Sequence, residues 1–169
     1  CQAIQHAETM SARMEKLDPL AIGEKGRRIS PVNLDEALTP VIQAFEEEGG
    51  RLGVSIYYEG GDHEVVTNRE VAQHSLANLL NNSIWWASRG EAQSPCASIH
   101  LTPKGFSVSD NGPGIPKQDR DVIYEPSFTT RDGAHGLGLT LVRDLLATIG
   151  GQIRLMKLRP ATFVVQLTK

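Results

Sequence analysis

Three asparagines and two adjacent tryptophans interrupt the apolar run LANLLNNSIWWAS, residues 76–88. Asn78 and Asn82 are four positions apart, so in a helix they would lie about one turn apart on the same face. A carboxamide in such a run needs a polar partner, either a ligand or solvent. The spacing alone leaves both interpretations open: a ligand-binding face, or the solvated edge of an ordinary helix.

A second polar group directly follows the predicted strand FSVS, in the segment DNGPGIP, residues 110–116. Gly112 and Gly114 would let the backbone approach a ligand closely. Asp110, at the end of the strand, can accept a hydrogen bond from an amino group of that ligand. A simple turn has a similar composition, so the segment by itself is weak support for a binding loop.

Two further segments add to this chemistry. YEPSFTT, residues 124–130, contains a phenylalanine followed by two threonines. In GAHGLGLTLVRDLL, residues 133–146, Gly136 and Gly138 come directly before a predicted helix. The backbone N–H groups at a helix N-terminus face outward and form an anion site that suits phosphates. A lone Gly-x-Gly is weak evidence, and the argument depends on the combination.

The helix that carries the asparagines also has an apolar stripe that would dock it on a core. Its apolar residues recur at spacings of three and four: Leu76, Leu79, Leu80 and Ile84. Thr67, followed three residues later by Glu70, has the form of a capping box and predicts where the helix begins. We therefore expect an inward apolar face with the amides at its rim.

The other elements place these segments in one domain. The patterns predict a helix over residues 32–48 that ends at Gly49-Gly50, and strands RLGVSIYYE and HEVVT separated by a turn at residues 60–62. They also predict strands ASIHL and GFSVSD, a helix over residues 139–149, and closing strands GQIRLMKL and ATFVVQL. Strands and helices do not alternate strictly. We therefore expect an α+β fold, a mixed and mostly antiparallel sheet with helices on one face, rather than a doubly wound parallel sheet.

The N-terminal segment has a different pattern. Residues 2–17 alternate apolar positions at spacings of four and three, as in the seam of a bundle or coiled-coil helix: Ala3, Ala7, Met10, Met14 and Leu17. An ordinary amphipathic helix has the same pattern over so short a run. Pro19 and residues 23–31 break it and predict a linker. We expect residues 1–25 to be separate from a globular domain of residues 26–169.

Composition limits the function classes. With 169 residues, of which 40% are hydrophobic, the chain can bury one core. A net charge of −3 gives no basic field, which argues against nucleic acid or a membrane surface as a partner. Cys1 and Cys96 form neither a disulfide framework nor a metal-binding spacing. No apolar run approaches the roughly 20 residues that span a bilayer, and no signal-peptide pattern opens the chain. Because the sequence begins at Cys1, we expect a fragment of a longer protein.

Four segments, in this order, resemble the N, G1, F and G2 boxes of the GHKL ATPase superfamily: Asn78 with Asn82, DNGPGI, EPSFTT and GLGL. The resemblance covers residues 32–167 and is closest to the ATP-binding catalytic (HATPase_c) domain of bacterial sensor histidine kinases. It implies a two-layer α/β sandwich, the Bergerat fold, with ATP held between helices and a lid. It also implies that residues 2–17 end the second helix of a dimerisation and phosphotransfer hairpin.

The resemblance assigns a role to each matching residue. Asn82 would bind Mg²⁺, since a neutral amide oxygen suits a hard cation that keeps several waters and bridges phosphates. Asn78 would help to hold the phosphates, and Asp110 would bind the adenine amino group. The remaining implied nucleotide contacts are Gly112, Gly114 and Ile115 at the adenine, Phe128, Thr129 and Thr130 in the lid, and Gly136, Leu137, Gly138 and Leu139 at the phosphates. Trp86 would stack on the adenine or ribose, or else make a core contact.

The resemblance also bears on the reaction. Hydrolytic relatives, of the gyrase, Hsp90 and MutL types, carry a glutamate one turn before the magnesium-binding asparagine, as the general base for water. This chain has Asn78 there, which favours transfer of the ATP γ-phosphate to a histidine over hydrolysis. Two alternatives remain: a regulatory module that binds nucleotide without catalysis, and a GHKL ATP hydrolase.

The chain departs from the family at two points. Many members have lysine or arginine three residues after the magnesium-binding asparagine, where this sequence has Trp85. Loss of this cation would slow turnover unless Arg131 or His135, in the predicted lid, substitutes for it; the alternative for His135 is a solvated loop residue. His6 lacks the acidic residue and the proline that follow a phosphoacceptor histidine, so we expect the acceptor to lie upstream of this chain.

The resemblance implies partners and a location as well. The partners are ATP or ADP, the protein's own dimerisation and phosphoacceptor helices, the receiver domain of a response regulator, and a second copy in a full-length homodimer. The location is the bacterial cytoplasm, with upstream segments that could anchor the full-length protein in a membrane.

Overall fold

The computed structural model describes residues 28–129 and 136–168. Three α-helices lie in these residues: α1 (Leu34–Arg51), α2 (Arg69–Ala87) and α3 (Gly138–Thr148). The strands, in chain order, are β1 (Ser30–Asn33), β2 (Ser55–Glu59), β3 (Glu64–Thr67), β4 (Cys96–Thr102), β5 (Gly105–Asp110), β6 (Gln152–Leu158) and β7 (Ala161–Gln166). A short 3₁₀ turn, Lys117–Asp119, follows β5.

The strands form two sheets. The main sheet has five strands in the order β2-β4-β5-β7-β6, and β1 pairs with β3 in a separate two-stranded sheet. Within the main sheet only β2 and β4 run parallel, and the other three pairings are antiparallel. The sheet is therefore mixed and mostly antiparallel, as the sequence predicted.

The core lies between the main sheet and the helices. Alternate residues of β5 point into it, and Phe106 and Val108 are fully buried, whereas the intervening Ser107 is only partly buried. The predicted apolar stripe of α2 meets this sheet face, and its members are at most 2% exposed: Leu76, Leu79, Leu80 and Ile84. The expected two-layer arrangement, with helices on one face of the sheet, is confirmed.

The start of α2 differs from the prediction. The N-cap is Asn68, whose Oδ1 accepts a hydrogen bond from the Val71 N–H at 2.9 Å. Thr67 ends β3, where it lies opposite Ser30, and its Oγ1 donates a hydrogen bond to the carbonyl of Leu167 at 3.2 Å. The predicted capping box of Thr67 and Glu70 was therefore wrong, because strand pairing holds Thr67 outside the helix.

Two other boundaries also differ. Strand β1 occupies Ser30–Asn33, where the sequence predicted the end of a linker (residues 23–31) and the start of a helix at residue 32. The helix α1 continues through Gly49-Gly50 to Arg51. A Cβ atom at Gly49 would lie 2.8 Å from the carbonyl oxygen of Val54, so glycine is required here for close packing inside the helix rather than for its end.

The predicted turn at residues 60–62 does not close a hairpin. Strand β2, on one side of it, pairs with β4, and β3, on the other side, pairs with β1. The two strands that flank the turn therefore belong to different sheets.

The N-terminal prediction falls on residues that the structure does not describe. The division into residues 1–25 and 26–169 therefore stays a prediction. Within residues 28–129 and 136–168, no helix has the length and apolar character needed to cross a membrane.

Candidate functional site

A cavity opens between α2, the loop after β5 and the start of α3. Its α2 wall includes three residues assigned from the sequence, Asn78, Asn82 and Trp86. Because these positions follow a spacing of four, the helix presents all three side chains to the same side. The amide face predicted from the sequence is therefore the wall of a cavity.

The amide of Asn78 has a defined orientation. Asn78 is 8% exposed, and its Nδ2 donates a hydrogen bond to the carbonyl of His74 at 3.0 Å. This bond leaves Oδ1 directed towards the start of α3: a Cβ atom added at Gly138 would lie 3.7 Å from it. The same added atom would lie 3.5 Å from Asn82 Nδ2 and 3.9 Å from Asn82 Oδ1. Both asparagine side chains therefore lie close to the start of α3.

The first turn of α3 supplies the opposite wall. Leu137 is the N-cap residue and makes no side-chain capping hydrogen bond. Four consecutive positions line the cavity here: Gly136, Leu137, Gly138 and Leu139. Uncapped N–H groups at a helix N-terminus carry a partial positive charge and favour anions. A group with negative charge is thus suited to this end of the cavity.

Asp110 lies at another part of the cavity, at the end of β5. It follows the inward-facing Phe106 and Val108 in strand alternation, so its side chain points into the helix layer, and it is 6% exposed. The residues opposite it on β4 and β7 are Ala97 and Ala161. Because both neighbours are small, they leave space beside the carboxylate.

Burial raises the pKa of Asp110 to about 6, although hydrogen bonds from the Gly112 backbone and the Ser83 side chain lower it in part. The Gly112 N–H donates to Asp110 Oδ1 at 3.0 Å. A buried carboxylate with this few donors has capacity to accept a further hydrogen bond from a ligand.

Gly112 and Gly114 have different roles in the loop after β5. A Cβ atom at Gly112 would lie 2.9 Å from the backbone of Trp86, so the glycine allows the loop to pack on the end of α2. Gly112 does not itself line the cavity, whereas Gly114 and Ile115 do. Gly114 has φ +82°, and an added Cβ would lie 2.5 Å from the carbonyl of Leu158.

The two flanks of residues 130–135 lie close together. Ser127 and Gly136 both have φ +67°, and a Cβ atom at Gly136 would lie 2.6 Å from the carbonyl oxygen of Phe128. Thr140 Oγ1 donates a hydrogen bond to the Tyr124 carbonyl at 3.0 Å. Phe128 lines the cavity from this side, together with Thr129.

Trp85 lies outside the cavity. Its ring meets that of Trp86 edge to face at 4.5 Å, and the guanidinium of Arg89 lies 4.0 Å from its centroid. Trp85, at the position where the resemblance implies a lysine or arginine, therefore stacks with Arg89 and does not line the cavity. Among the described lining residues there is no lysine, arginine or histidine.

The structure adds residues that the sequence reasoning missed, and leaves some predicted ones untested. The additional lining residues are Asn81, Ser83, Pro116, Asp119, Ile123, Ala161 and Phe163. Asn81 and Ser83 stand within the asparagine run, so the α2 pattern could have indicated them. Ala161 and Phe163 come from the last strand, and nothing in their local sequence indicates a site. Thr130, Arg131 and His135 lie outside the described residues.

Comparison with known proteins identifies the family. The family model described as histidine kinase-, DNA gyrase B- and HSP90-like ATPase matches residues 67–169, more than half of the chain. The chain belongs to this family. The match includes all four segments on which the resemblance rests, and the predicted membership of this ATPase superfamily is confirmed.

The individual relatives of this ATPase-family chain include a sensor protein and a sensory histidine kinase/phosphatase. It is 30% identical over 146 residues to the sensor protein CitS of Halalkalibacterium halodurans, which covers 80% of this chain and 27% of that protein. It is 24% identical over 164 residues to the sensory histidine kinase/phosphatase NtrB of Vibrio alginolyticus, covering 89% of this chain and 46% of that one. The chain thus spans less than half the length of either relative.

A solved structure supports the same assignment. The nucleotide-free catalytic domain of histidine kinase ThkA superposes with a TM-score of 0.70 and 26% identity, covering 83% of this chain and 95% of that one. This chain therefore has the fold of a histidine kinase catalytic domain.

Proposed function

We propose that this chain contains the ATP-binding catalytic domain of a two-component sensor histidine kinase, which transfers the γ-phosphate of ATP to a histidine outside the chain. The observation that carries the proposal is the convergence of three unlike groups on one cavity: the amides of α2, the buried Asp110 carboxylate and the uncapped start of α3. A nucleoside triphosphate has matching parts, a base with an amino group and a polyphosphate.

Asp110 would recognise the nucleobase. Its carboxylate accepts the hydrogen bond of an exocyclic amino group, which adenine has at the position where guanine has a carbonyl oxygen. Gly114 and Ile115, in the loop after β5, would form the adjoining wall, and Trp86 would offer an aromatic surface for stacking. This arrangement favours adenine nucleotides.

The phosphates would lie between α2 and the start of α3. Backbone N–H groups from Gly136 to Leu139 would donate hydrogen bonds to phosphate oxygens. Asn82 is the residue we assign to Mg²⁺, because its amide oxygen is a suitable hard ligand close to where the phosphates would lie. Asn78 presents Oδ1 to the same space, and because this oxygen can only accept hydrogen bonds, it would accept them from water beside the phosphates. Asn82 would hold the Mg²⁺, which would supply positive charge to offset that of the phosphates.

The lining residues favour phosphoryl transfer over hydrolysis. Hydrolysis by general-base catalysis needs a proton acceptor beside the γ-phosphate. The described carboxylates that line the cavity are Asp110, which we place at the nucleobase, and Asp119 in the 3₁₀ turn, whereas Asn78 occupies the position one turn before Asn82. In transfer, the chain's residues position ATP and stabilise its charge, and the nucleophile is the histidine nitrogen of the acceptor.

The remaining assignments concern the whole protein. CitS and NtrB are named as sensor proteins, and by analogy we propose that this protein works in the cytoplasm with a dimerisation and phosphoacceptor hairpin and a response regulator. Residues 1–25 would be the end of that hairpin and its linker. Phe128 and Thr129, together with Thr130, would belong to a lid over the nucleotide.

A phosphotransfer assay tests this proposal. The chain is incubated with γ-labelled ATP and Mg²⁺ together with the histidine-bearing hairpin of the full-length protein, with Asn82→Ala as the matched inactive variant. We expect acid-labile, alkali-stable label on the hairpin with the wild type and none with the variant. Steady phosphate release without labelled hairpin would instead identify a hydrolase.

A second candidate is a nucleotide-binding regulatory module without catalysis. The observation in its favour is the lack of a cation: Trp85 occupies the position where many family members have a basic residue, and it does not line the cavity. None of the described lining residues is cationic. Nucleotide binding by the wild type, without phosphate release and without labelling of the hairpin, would support this candidate.

A further inference from the structure

Two buried serines lie in α2, and they differ in their surroundings. Ser83 is 3% exposed and lines the cavity, next to the proposed magnesium ligand Asn82. Ser75 is fully buried, does not line the cavity, and its hydroxyl has no hydrogen-bond partner in the described residues. Ser83 therefore lies at the site, whereas Ser75 belongs only to the core and can serve as its control.

Ser83 and Asp110 line the same cavity and are both buried, and the Ser83 hydroxyl donates a hydrogen bond to the Asp110 carboxylate. The second donor to that carboxylate is the Gly112 N–H, at 3.0 Å from Oδ1. The neighbours of Asp110 on β4 and β7 are Ala97 and Ala161, whose side chains cannot donate. The orientation of the carboxylate therefore depends on one backbone group and one side chain.

We propose that Ser83 is a positioning residue for nucleobase recognition: its hydroxyl holds the Asp110 carboxylate so that the remaining acceptor capacity faces an amino group of the base. This inference rests on the proposed function, since it takes the cavity to be an adenine-nucleotide site. Ser83 itself does not need to touch the base.

Removing the hydroxyl has a defined effect on pH dependence. A carboxylate that loses a hydrogen-bond donor is less stable in its charged form, so the pKa of Asp110 would rise further. The charged carboxylate can accept hydrogen bonds at both oxygens, whereas the protonated carboxyl group carries a proton on one of them. The affinity for the base should therefore fall as the pH decreases. In Ser83→Ala this fall should begin at a higher pH than in the wild type.

Few other titratable groups face Asp110. Among the described residues that line the cavity, the other ionisable side chain is Asp119, in the 3₁₀ turn. The α2 residues on this wall beside Ser83 are uncharged, as are Ala97 and Ala161 on the flanking strands. Asp119 and the ADP phosphates are common to every variant, so their titration cancels when the variants are compared.

The test is calorimetric titration of ADP at pH values from 5 to 8 on the wild-type chain, Ser83→Ala and the control Ser75→Ala. We expect Ser83→Ala to bind ADP roughly three- to tenfold more weakly at pH 7 and to shift the midpoint of its pH profile upward by about half to one unit, the range expected for the net contribution of one intramolecular hydrogen bond. Ser75→Ala should match the wild-type profile.

A second measurement tests the residue directly. The carboxyl carbon of Asp110 is followed by NMR against pH in the nucleotide-free proteins, and its midpoint should be higher in Ser83→Ala than in the other two. Equal midpoints in wild type and Ser83→Ala, with ADP bound by both, would overturn the role of Ser83 and leave the nucleotide site intact. A wild-type chain that does not bind ADP would overturn both.

Discussion

Replacing Asp110 by asparagine should stabilise the nucleotide-free protein while it removes nucleotide binding. Asp110 is 6% exposed, and its nearest strand neighbours are alanines, so water does little to stabilise its charge. Asparagine has nearly the same shape and can still accept the hydrogen bond from the Gly112 N–H. The main difference between the two proteins at neutral pH is therefore the buried negative charge.

The size of the effect follows from the pKa. Burial raises the pKa of Asp110 from 3.8 to about 6, and one unit corresponds to about 1.4 kcal/mol. Two units give an upper limit of about 3 kcal/mol for the destabilisation of the folded state by the carboxylate at neutral pH. The folded protein binds this proton more tightly than the unfolded chain does. Asp110 therefore stabilises the fold below about pH 4, and that contribution is lost as the pH rises through about 6.

Urea unfolding of the wild type and Asp110→Asn, without nucleotide, measures this difference at two pH values. At pH 7.5 we expect the variant to have the higher free energy of unfolding, by about 1–3 kcal/mol, and at pH 4 we expect the two to be nearly equal. ADP should raise the stability of the wild type but not that of the variant. The reasoning would be refuted if the variant were less stable than the wild type at pH 7.5, or if the difference in their free energies of unfolding were the same at both pH values.

Two further predictions concern the backbone. In Gly136→Ala the new Cβ would lie 2.6 Å from the Phe128 carbonyl oxygen, and residue 136 has φ +67°, so we expect the free energy of unfolding to fall by about 1–3 kcal/mol in thermal or urea unfolding. The control is Gly50→Ala in α1, where the added Cβ has no neighbour within 4 Å and the free energy of unfolding should rise by about 0.5–1 kcal/mol. Equal effects of the two substitutions would contradict the prediction. Asn68→Ala removes the cap of α2 and should cost about 1 kcal/mol of unfolding free energy; an unchanged stability would argue against Asn68 as the cap.

The sequence was sufficient for the elements with strong periodicity. The spacing of Leu76, Leu79, Leu80 and Ile84 predicted the buried face of α2 because a helix places such positions together whatever surrounds it. The same geometry placed Asn78 and Asn82 on one wall of the cavity. Asp110 could be assigned because it directly follows a predicted strand and begins the segment that resembles the G1 box; in the structure, strand alternation after Phe106 and Val108 turns it inward.

Contacts between distant segments could not be predicted in this way. Strand β1 is only four residues long and contains Pro31, so it carries no periodic signal, and its existence depends on pairing with β3. That pairing also removes Thr67 from the helix and makes Asn68 the cap. Ala161 and Phe163 line the cavity only because β7 lies beside β5, and the local sequence of β7 gives no sign of this.

Gly49 and Gly112 show a related limit. Both glycines were interpreted from their usual roles, one as a helix end and the other as a ligand contact. In the structure each allows two backbones to approach, Gly49 with Val54 and Gly112 with Trp86. A close approach of this kind is fixed by tertiary packing, so the glycine is visible in the sequence while its partner is not.

The central claim, that α2 and α3 hold a nucleotide with Mg²⁺ at Asn82, is tested most directly by calorimetric titration of ADP and ATP with and without Mg²⁺. The proteins are the wild type, Asn82→Ala, and the control Asn68→Ala, which removes the N-cap asparagine of the same helix, outside the cavity. We expect Mg²⁺ to strengthen nucleotide binding by the wild type and by Asn68→Ala, and to have little effect on Asn82→Ala. Absence of binding at millimolar nucleotide, or an unchanged Mg²⁺ effect in Asn82→Ala, would contradict the claim.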